Sequence, residues 1–148
     1  MRSLIASIAI IVMLAIVTGG CNRQTAAPPE NVPPSDQSQT VFQPTSYKGA
    51  LQLAQQHKRN LVLVFSASWC KPCKEMKAGV WPNHQVQEAL SPFIVYFVDV
   101  DRERGVADEH GVRTIPSYGI FSVTAGRPKR LKFGSGQRSA SEIVTWLQ

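Results

Sequence analysis

Cysteine is scarce in this chain of 148 residues, present only as Cys21, Cys70 and Cys73. With no second pair, Cys70 and Cys73 cannot build a four-cysteine zinc site. Lys74 rather than His follows Cys73, so covalent haem attachment is excluded as well. Acidic residues are also few, 10 against 16 Lys and Arg, for a formal net charge of +6. No basic run with interleaved aromatics accompanies that charge, so no nucleic-acid partner is expected. The sign fits a solvated basic surface, or one drawn to anionic lipid headgroups. Long apolar runs are missing too: Leu4 through Val17 is shorter than the about twenty residues a spanning helix needs. What remains, 43% apolar and 18% charged, suits one ordinary globular domain with appendages.

The chemistry concentrates in Phe65-Ser66-Ala67-Ser68-Trp69-Cys70-Lys71-Pro72-Cys73-Lys74. It starts at the end of Leu61-Val62-Leu63-Val64-Phe65, a run that reads as a buried strand. It ends in Lys74-Glu75-Met76-Lys77-Ala78, a run of good helix formers. Cysteines three apart on a first helical turn share a face, so their sulfurs can meet without backbone strain. The unpartnered N–H groups there, the helix dipole and the ammonium groups of Lys71 and Lys74 all favour a thiolate on Cys70. Pro72 is tolerated in a first turn and stiffens the loop. Cys70 is therefore expected to be an exposed nucleophile and Cys73 a more buried resolving thiol. A purely structural bridge closing so short a loop gains little chain entropy, which leaves redox chemistry as the better reading.

Trp69-Cys70-Lys71-Pro72-Cys73 resembles the active-site signature of the thioredoxin family. The resemblance runs from about Tyr47 to Gln148, and Thr114-Ile115-Pro116 is similar to the family's cis-proline loop. Val62 through Leu90 looks most like the C-terminal domain of bacterial transmembrane thiol:disulfide reductases and their stand-alone relatives. The resemblance implies a thioredoxin-like α/β fold, a central mixed sheet flanked by helices. It implies a cis bond before Pro116, with the Ile115 backbone opposite Cys70 as a docking edge for an extended peptide. Trp69, Ile115, Pro116 and the glycines Gly134 and Gly136 would frame a shallow apolar groove. Where many thioredoxins carry a buried Asp and its Lys partner, this chain has Val64 and Phe97. Water, Glu75 or Asp99 must then deprotonate Cys73. Asp99, on the strand face of Phe97, is the first choice as proton relay.

At the front, Met1-Arg2-Ser3 and the apolar stretch behind it read as a secretory signal over residues 1–20. Cys21, directly behind Gly19 and Gly20, resembles the acylated cysteine of bacterial lipoproteins. The alternatives are an uncleaved anchor, or plain cleavage leaving a free thiol. Residues 21–45, with Pro28, Pro29, Pro33, Pro34 and Pro44, read as a tether with no hydrophobic period. Residues 46–148 form the expected domain.

Within it, Tyr47 to His57 has the helical period, broken by Asn60. The motif helix should give way at Gly79 and restart behind Asn83 through Leu90. Phe93 to Val100 reads as a second strand, followed by a helix from Arg102 to His110 capped by Asp101 and closed by Gly111. Ser117 to Val123 and Lys129 to Phe133 should pair around Thr124 to Pro128. Ser139 should cap a last helix carrying Ile143, Val144, Trp146 and Leu147. Arg127, Lys129, Arg130, Lys132 and Arg138 read as a solvated basic edge. His57 and His84 read as surface residues, with His84 the one conceivable metal partner for the cysteines.

Together these point to an exported thiol:disulfide oxidoreductase, membrane-anchored and facing the periplasm or cell exterior. It should be a monomer that acts on disulfide-containing proteins and is re-reduced by a membrane electron-donor protein. The redox-active dithiol is its only expected cofactor, with no metal. The resemblance and Ile115 before the proline lean towards reductase over oxidase. A peptide-binding holdase or assembly module, and a copper-delivery protein, are the alternatives.

Overall fold

The computed structural model describes residues 43–148. The expected leader, Cys21 and most of the tether lie outside the described residues. Ser46 starts α1 (Tyr47–Gln56) by accepting the Gly49 N–H at 3.1 Å. The helix stops where Lys58 turns left-handed at φ 52°, two residues before the expected break at Asn60. β1 (Leu61–Ser66) is followed by α2 (Lys71–Gly79), then α3 (His84–Leu90) under an Asn83 cap. Next come β2 (Ile94–Asp99), α4 (Arg104–Glu109), β3 (Ser117–Thr124), β4 (Arg127–Ser135) and α5 (Ala140–Leu147). A capping box between Ser139 and Glu142 opens α5.

The four strands lie in the order β2-β1-β3-β4. β1 pairs parallel with β2, while its pairing with β3, and that of β3 with β4, is antiparallel. The parallel pairing thus sits towards one edge, because β2 has a neighbour on one side only. Alternation along β1 sends Val62 and Val64 to one face, and Leu61, Leu63 and Phe65 to the other. The first face packs Met76, Trp81, Val86, Leu90, Ile143 and Trp146 from the α2–α3 segment and α5. The second packs Ala50 and Ala54 of α1 and Ala107 of α4.

Two expectations for α4 and the hairpin change. Asp101 is not the cap of α4. Glu103 holds that position without a side-chain bond, since its carboxylate accepts the Tyr96 hydroxyl at 2.9 Å. The turn before α4 is closed by Asp99, whose Oδ1 accepts from the N–H of Asp101 and, more weakly, of Arg102. The hairpin turn is tighter than expected, with Ala125 and Gly126 at φ 50° and 72°, so Arg127 and Pro128 already belong to β4. A bulge at Leu131 lets Phe121 pair with Arg130 while its neighbour Ile120 pairs with Lys132. Arg130 and Lys132 therefore leave opposite faces. The Arg130 guanidinium donates to the His110 carbonyl and lies 4.5 Å over the Phe133 ring. The Lys132 ammonium donates to the Trp146 carbonyl at 2.7 Å. Both are exposed, as the sequence suggests, and both also hold the ends of helices.

Candidate active site

β1 ends at Ser66, and after a single turn, closed by the Cys70 N–H donating to the Ala67 carbonyl at 3.2 Å, α2 begins with Cys70 as its N-cap. The Cys70 carbonyl accepts from Lys74 N–H at 3.1 Å, and its Sγ accepts from Cys73 N–H at 3.3 Å. Lys71 and Pro72 occupy the first two helical positions, where a proline forfeits no internal hydrogen bond. Cys70 and Cys73 are joined as a disulfide across a Cα–Cα distance of 5.3 Å. The expectation of an exposed Cys70 above a hidden Cys73 is not met. Both are buried, at 4% and 5% exposure, because the bonded sulfurs pack against Ala67, Val100 and Ile115.

Two clefts flank the pair. The first, of about 250 Å³, runs from Trp69 past Val100 and Asp101 to Thr114 and Ile115, with Arg104, Asp108 and Arg113 on its rim. The peptide bond between Ile115 and Pro116 is cis. The Pro116 carbonyl accepts the Gly136 N–H at 2.8 Å, which ties the loop to the end of β4. Trp69 is 66% exposed, the largest exposed aromatic among the described residues. Its indole N–H donates to Asp101 Oδ2 at 2.9 Å. Asp101 is the site residue that sequence reasoning missed. The available signal was its place just past β2, because the ends of adjacent parallel strands bring their loops together.

The second cleft, of about 350 Å³, opens behind Cys73 and is lined by Ser66, Ala67, Ser68, Lys74, Lys77, Phe97 and Asp99. Asp99 therefore shares a cavity with the resolving sulfur. Val64 and Phe97 face each other as register partners on β1 and β2. Lys77 is a second cation in this cleft beside Lys74. Glu75 lies outside it, accepting from Gln137 at 2.7 Å.

Three other candidates lie elsewhere. Gly134 does not frame the groove. A Cβ there would lie 2.6 Å from the Tyr118 ring, so this glycine lets Tyr118 pack beneath Trp146. Gly136, at φ 88°, makes the turn beside Pro116. His84 pairs with Glu88 on its own helix at 3.6 Å, not with the cysteines. No group of three or more metal-binding side chains occurs among the described residues.

A CxxC disulfide capping a helix behind a central strand, opposite a cis-proline loop, defines a thioredoxin-like oxidoreductase site. The Thioredoxin-like family model matches residues 43–122, and the chain belongs to that family. Among curated relatives, thioredoxin H4 of Arabidopsis thaliana is 37% identical over 68 residues, covering 46% of this chain and 56% of that protein. Human thioredoxin is 36% identical over 77 residues, covering 52% and 69%. The fold is similar to a Thermus thermophilus thioredoxin, with a TM-score of 0.65 at 26% identity over 72% of this chain and 84% of that one. It is also similar in fold to the DsbH oxidoreductase, with a TM-score of 0.59 at 18% identity over 70% and 81%. The Neisseria meningitidis DsbD C-terminal domain gives a TM-score of 0.53 at 22% identity over 66% and 87%.

Proposed function

We propose that this protein is an exported thiol:disulfide oxidoreductase that reduces disulfides in other proteins. One observation carries the reading: Cys70 caps α2 with its sulfur bonded to Cys73, against Ile115 of the cis-proline loop. In the dithiol form, the first-turn N–H groups and the helix dipole favour a Cys70 thiolate. That thiolate attacks one sulfur of a substrate disulfide. A Cys70–substrate bond forms as the substrate S–S bond breaks, and the first substrate thiolate leaves. Cys73 then loses its proton to Asp99 and attacks Cys70 Sγ, releasing the second substrate thiolate. Two electrons pass to the substrate and the pair ends oxidised, the state described above. The dithiol is the whole redox cofactor, and no metal enters.

The substrate lies in the cleft between Trp69, Ile115 and Pro116, pairing its backbone with Ile115 as an added strand. Residues 1–20 serve as the leader, Cys21 carries the lipid and residues 21–45 tether a monomeric domain, 46–148. The domain faces the periplasm or cell exterior and is re-reduced by a membrane electron-donor protein. The charged start and apolar run before Cys21 support export. Ile115 before the proline, and the likeness of Val62 through Leu90 to reductase domains, support the direction of exchange.

The deciding experiment is a Cys73→Ser protein expressed in its native host. It should accumulate disulfide-linked partners through Cys70, separable without reductant and identifiable by mass spectrometry. A clean monomer under those conditions would overturn the exchange reading. Cys70→Ser should abolish exchange, whereas a holdase would keep its activity.

A further inference from the structure

The carboxylates of the described domain are distributed unevenly. Five of them, Asp99, Asp101, Glu103, Asp108 and Glu109, fall within one short segment, and three of these, Asp99, Asp101 and Asp108, line the redox clefts. By contrast, Gln43 to Lys74 and His110 to Ser141 contain no acidic residue. Those acid-free segments meet. The Gly126 N–H at the hairpin tip donates to Gln55 Oε1 near the end of α1, at 2.8 Å.

The register shows where that meeting point lies. β3 pairs with β1 only as far as Phe121, opposite Leu61 at the start of β1. Ser122, Val123 and Thr124 pair only with Lys129, Pro128 and Arg127, so the hairpin overhangs the sheet. The overhang projects past the end where β1 begins, and the disulfide sits beyond the end where β1 finishes. Arg127 and Lys129 are exposed on it, and Lys58, just past the helix whose Gln55 meets the hairpin tip, is exposed as well. Leu131 adds an apolar side chain 54% exposed on the same strand. Glu88, on the helix whose end meets Arg59 through the Ser91 carbonyl, is turned to His84.

We infer that this overhang is a docking face for an anionic phospholipid surface, which turns the redox site away from the bilayer. Charge of one sign, an apolar side chain among the cations and a projecting tip are what such a surface recruits. The 42 residues that precede Gln43 include Leu4 through Val17, the apolar run read above as part of an export leader. Fully extended, the part from Cys21 onward reaches about 70 Å. That exceeds the size of a domain of about 100 residues. A tether so long does not fix orientation, and a charged pole does. The inference does not depend on acylation of Cys21 or on the direction of disulfide exchange.

The test is co-sedimentation of the full chain with vesicles of phosphatidylcholine alone, or mixed with phosphatidylglycerol. The ratio of the two affinities removes any contribution from the apolar N-terminal stretch. Wild type should bind the anionic vesicles at least about tenfold more tightly, and the advantage should shrink with salt. Arg127→Glu/Lys129→Glu should lose most of it, with its melting curve and its reduction of a small aromatic disulfide unchanged. The charge-matched control Lys48→Glu/Arg102→Glu, away from the overhang, should keep it. Equal loss in both doubles, equal binding to both vesicles, or vesicle protection from hydrogen exchange at Trp69–Cys73 instead of at the hairpin tip would overturn the inference. Binding to duplex DNA that vesicles fail to compete would overturn it too.

Discussion

The two faces of the sheet are built on different principles. Against the α2–α3 segment and α5, the core is apolar and aromatic. Trp81 meets Phe97 and Tyr118 edge-on at 6.0 Å, and Tyr118 meets Trp146 at 4.8 Å. Against α1 and α4, the core encloses a polar pair. The buried His110 ring bonds the Tyr47 hydroxyl at 2.8 Å and lies tilted against Phe121, with ring centroids 4.6 Å apart. Arg130 fixes the same residue from behind through its carbonyl. The first face supplies packing energy whose buried titratable member, Tyr118, is pushed up by burial and responds only at the alkaline end. The second contributes a specific orientation of the segment leading from α4 to Ile115 and Pro116, at the cost of a dependence on protonation. Stability and substrate geometry are thus drawn from opposite sides of one sheet.

That contrast can be broken most forcefully at Trp81. Trp81→Ala should cost about 3–5 kcal/mol in urea unfolding, with no change in the shape of the acid arm of the stability–pH curve. Gly134→Ala drives a methyl into the Tyr118 ring and should cost about 1–3 kcal/mol by the same measurement. On the other face, Tyr47→Phe strands a buried ring nitrogen of His110, an expected loss of about 1–3 kcal/mol at neutral pH.

The pH dependence sharpens the contrast further. Burial holds the His110 pKa below its ordinary value, opposed by Glu109 and assisted by Arg130. The unfolded chain therefore takes up that proton first as pH falls. The stability is fully present above about pH 6.5 and declines below it. His110→Phe should flatten this acid arm in unfolding titrations. At the alkaline end, burial, aided by Glu109, pushes Tyr47 up to about 12. Burial and the Glu103 hydrogen bond push Tyr96 up to about 12 as well. Both ionise first in the unfolded chain, so stability should fall from about pH 10 towards pH 12. The smallest expected effect is at the site. Asp101→Ala frees the Trp69 indole and should raise KM for a protein substrate about fivefold, with unfolding shifted by no more than about 0.5 kcal/mol.

The parts of this molecule that the sequence made plain are those decided by neighbours along the chain. Leu61 to Phe65 followed by two cysteines three apart identifies strand, turn and helix without tertiary knowledge. Ser139 announces the start of α5 in the same local way. What escaped was decided by neighbours in space. Asp101 and Asp99 are two residues apart and chemically alike, so which one closes the turn and which one holds Trp69 depends on where the loop after β1 lies. Gly134 was indistinguishable from a turn glycine until the Tyr118 ring beneath it was seen. The equal burial of Cys70 and Cys73 follows from Val100 and Ile115, which arrive from distant segments. The helix-end bonds of Arg130 and Lys132 were not legible because one unpaired residue inverts the alternation by which their faces would be assigned.

That unpaired residue, Leu131, has a further consequence. It makes a single strand change its inside for its outside halfway along, so that one short ribbon clasps the carbonyl ends of two helices lying on opposite sides of the molecule. Deleting it would not merely shorten an edge; it would turn one of those two clasps towards the wrong layer. The length of this stretch is therefore a fixed dimension of the architecture, in a place where an outermost strand is usually free to vary.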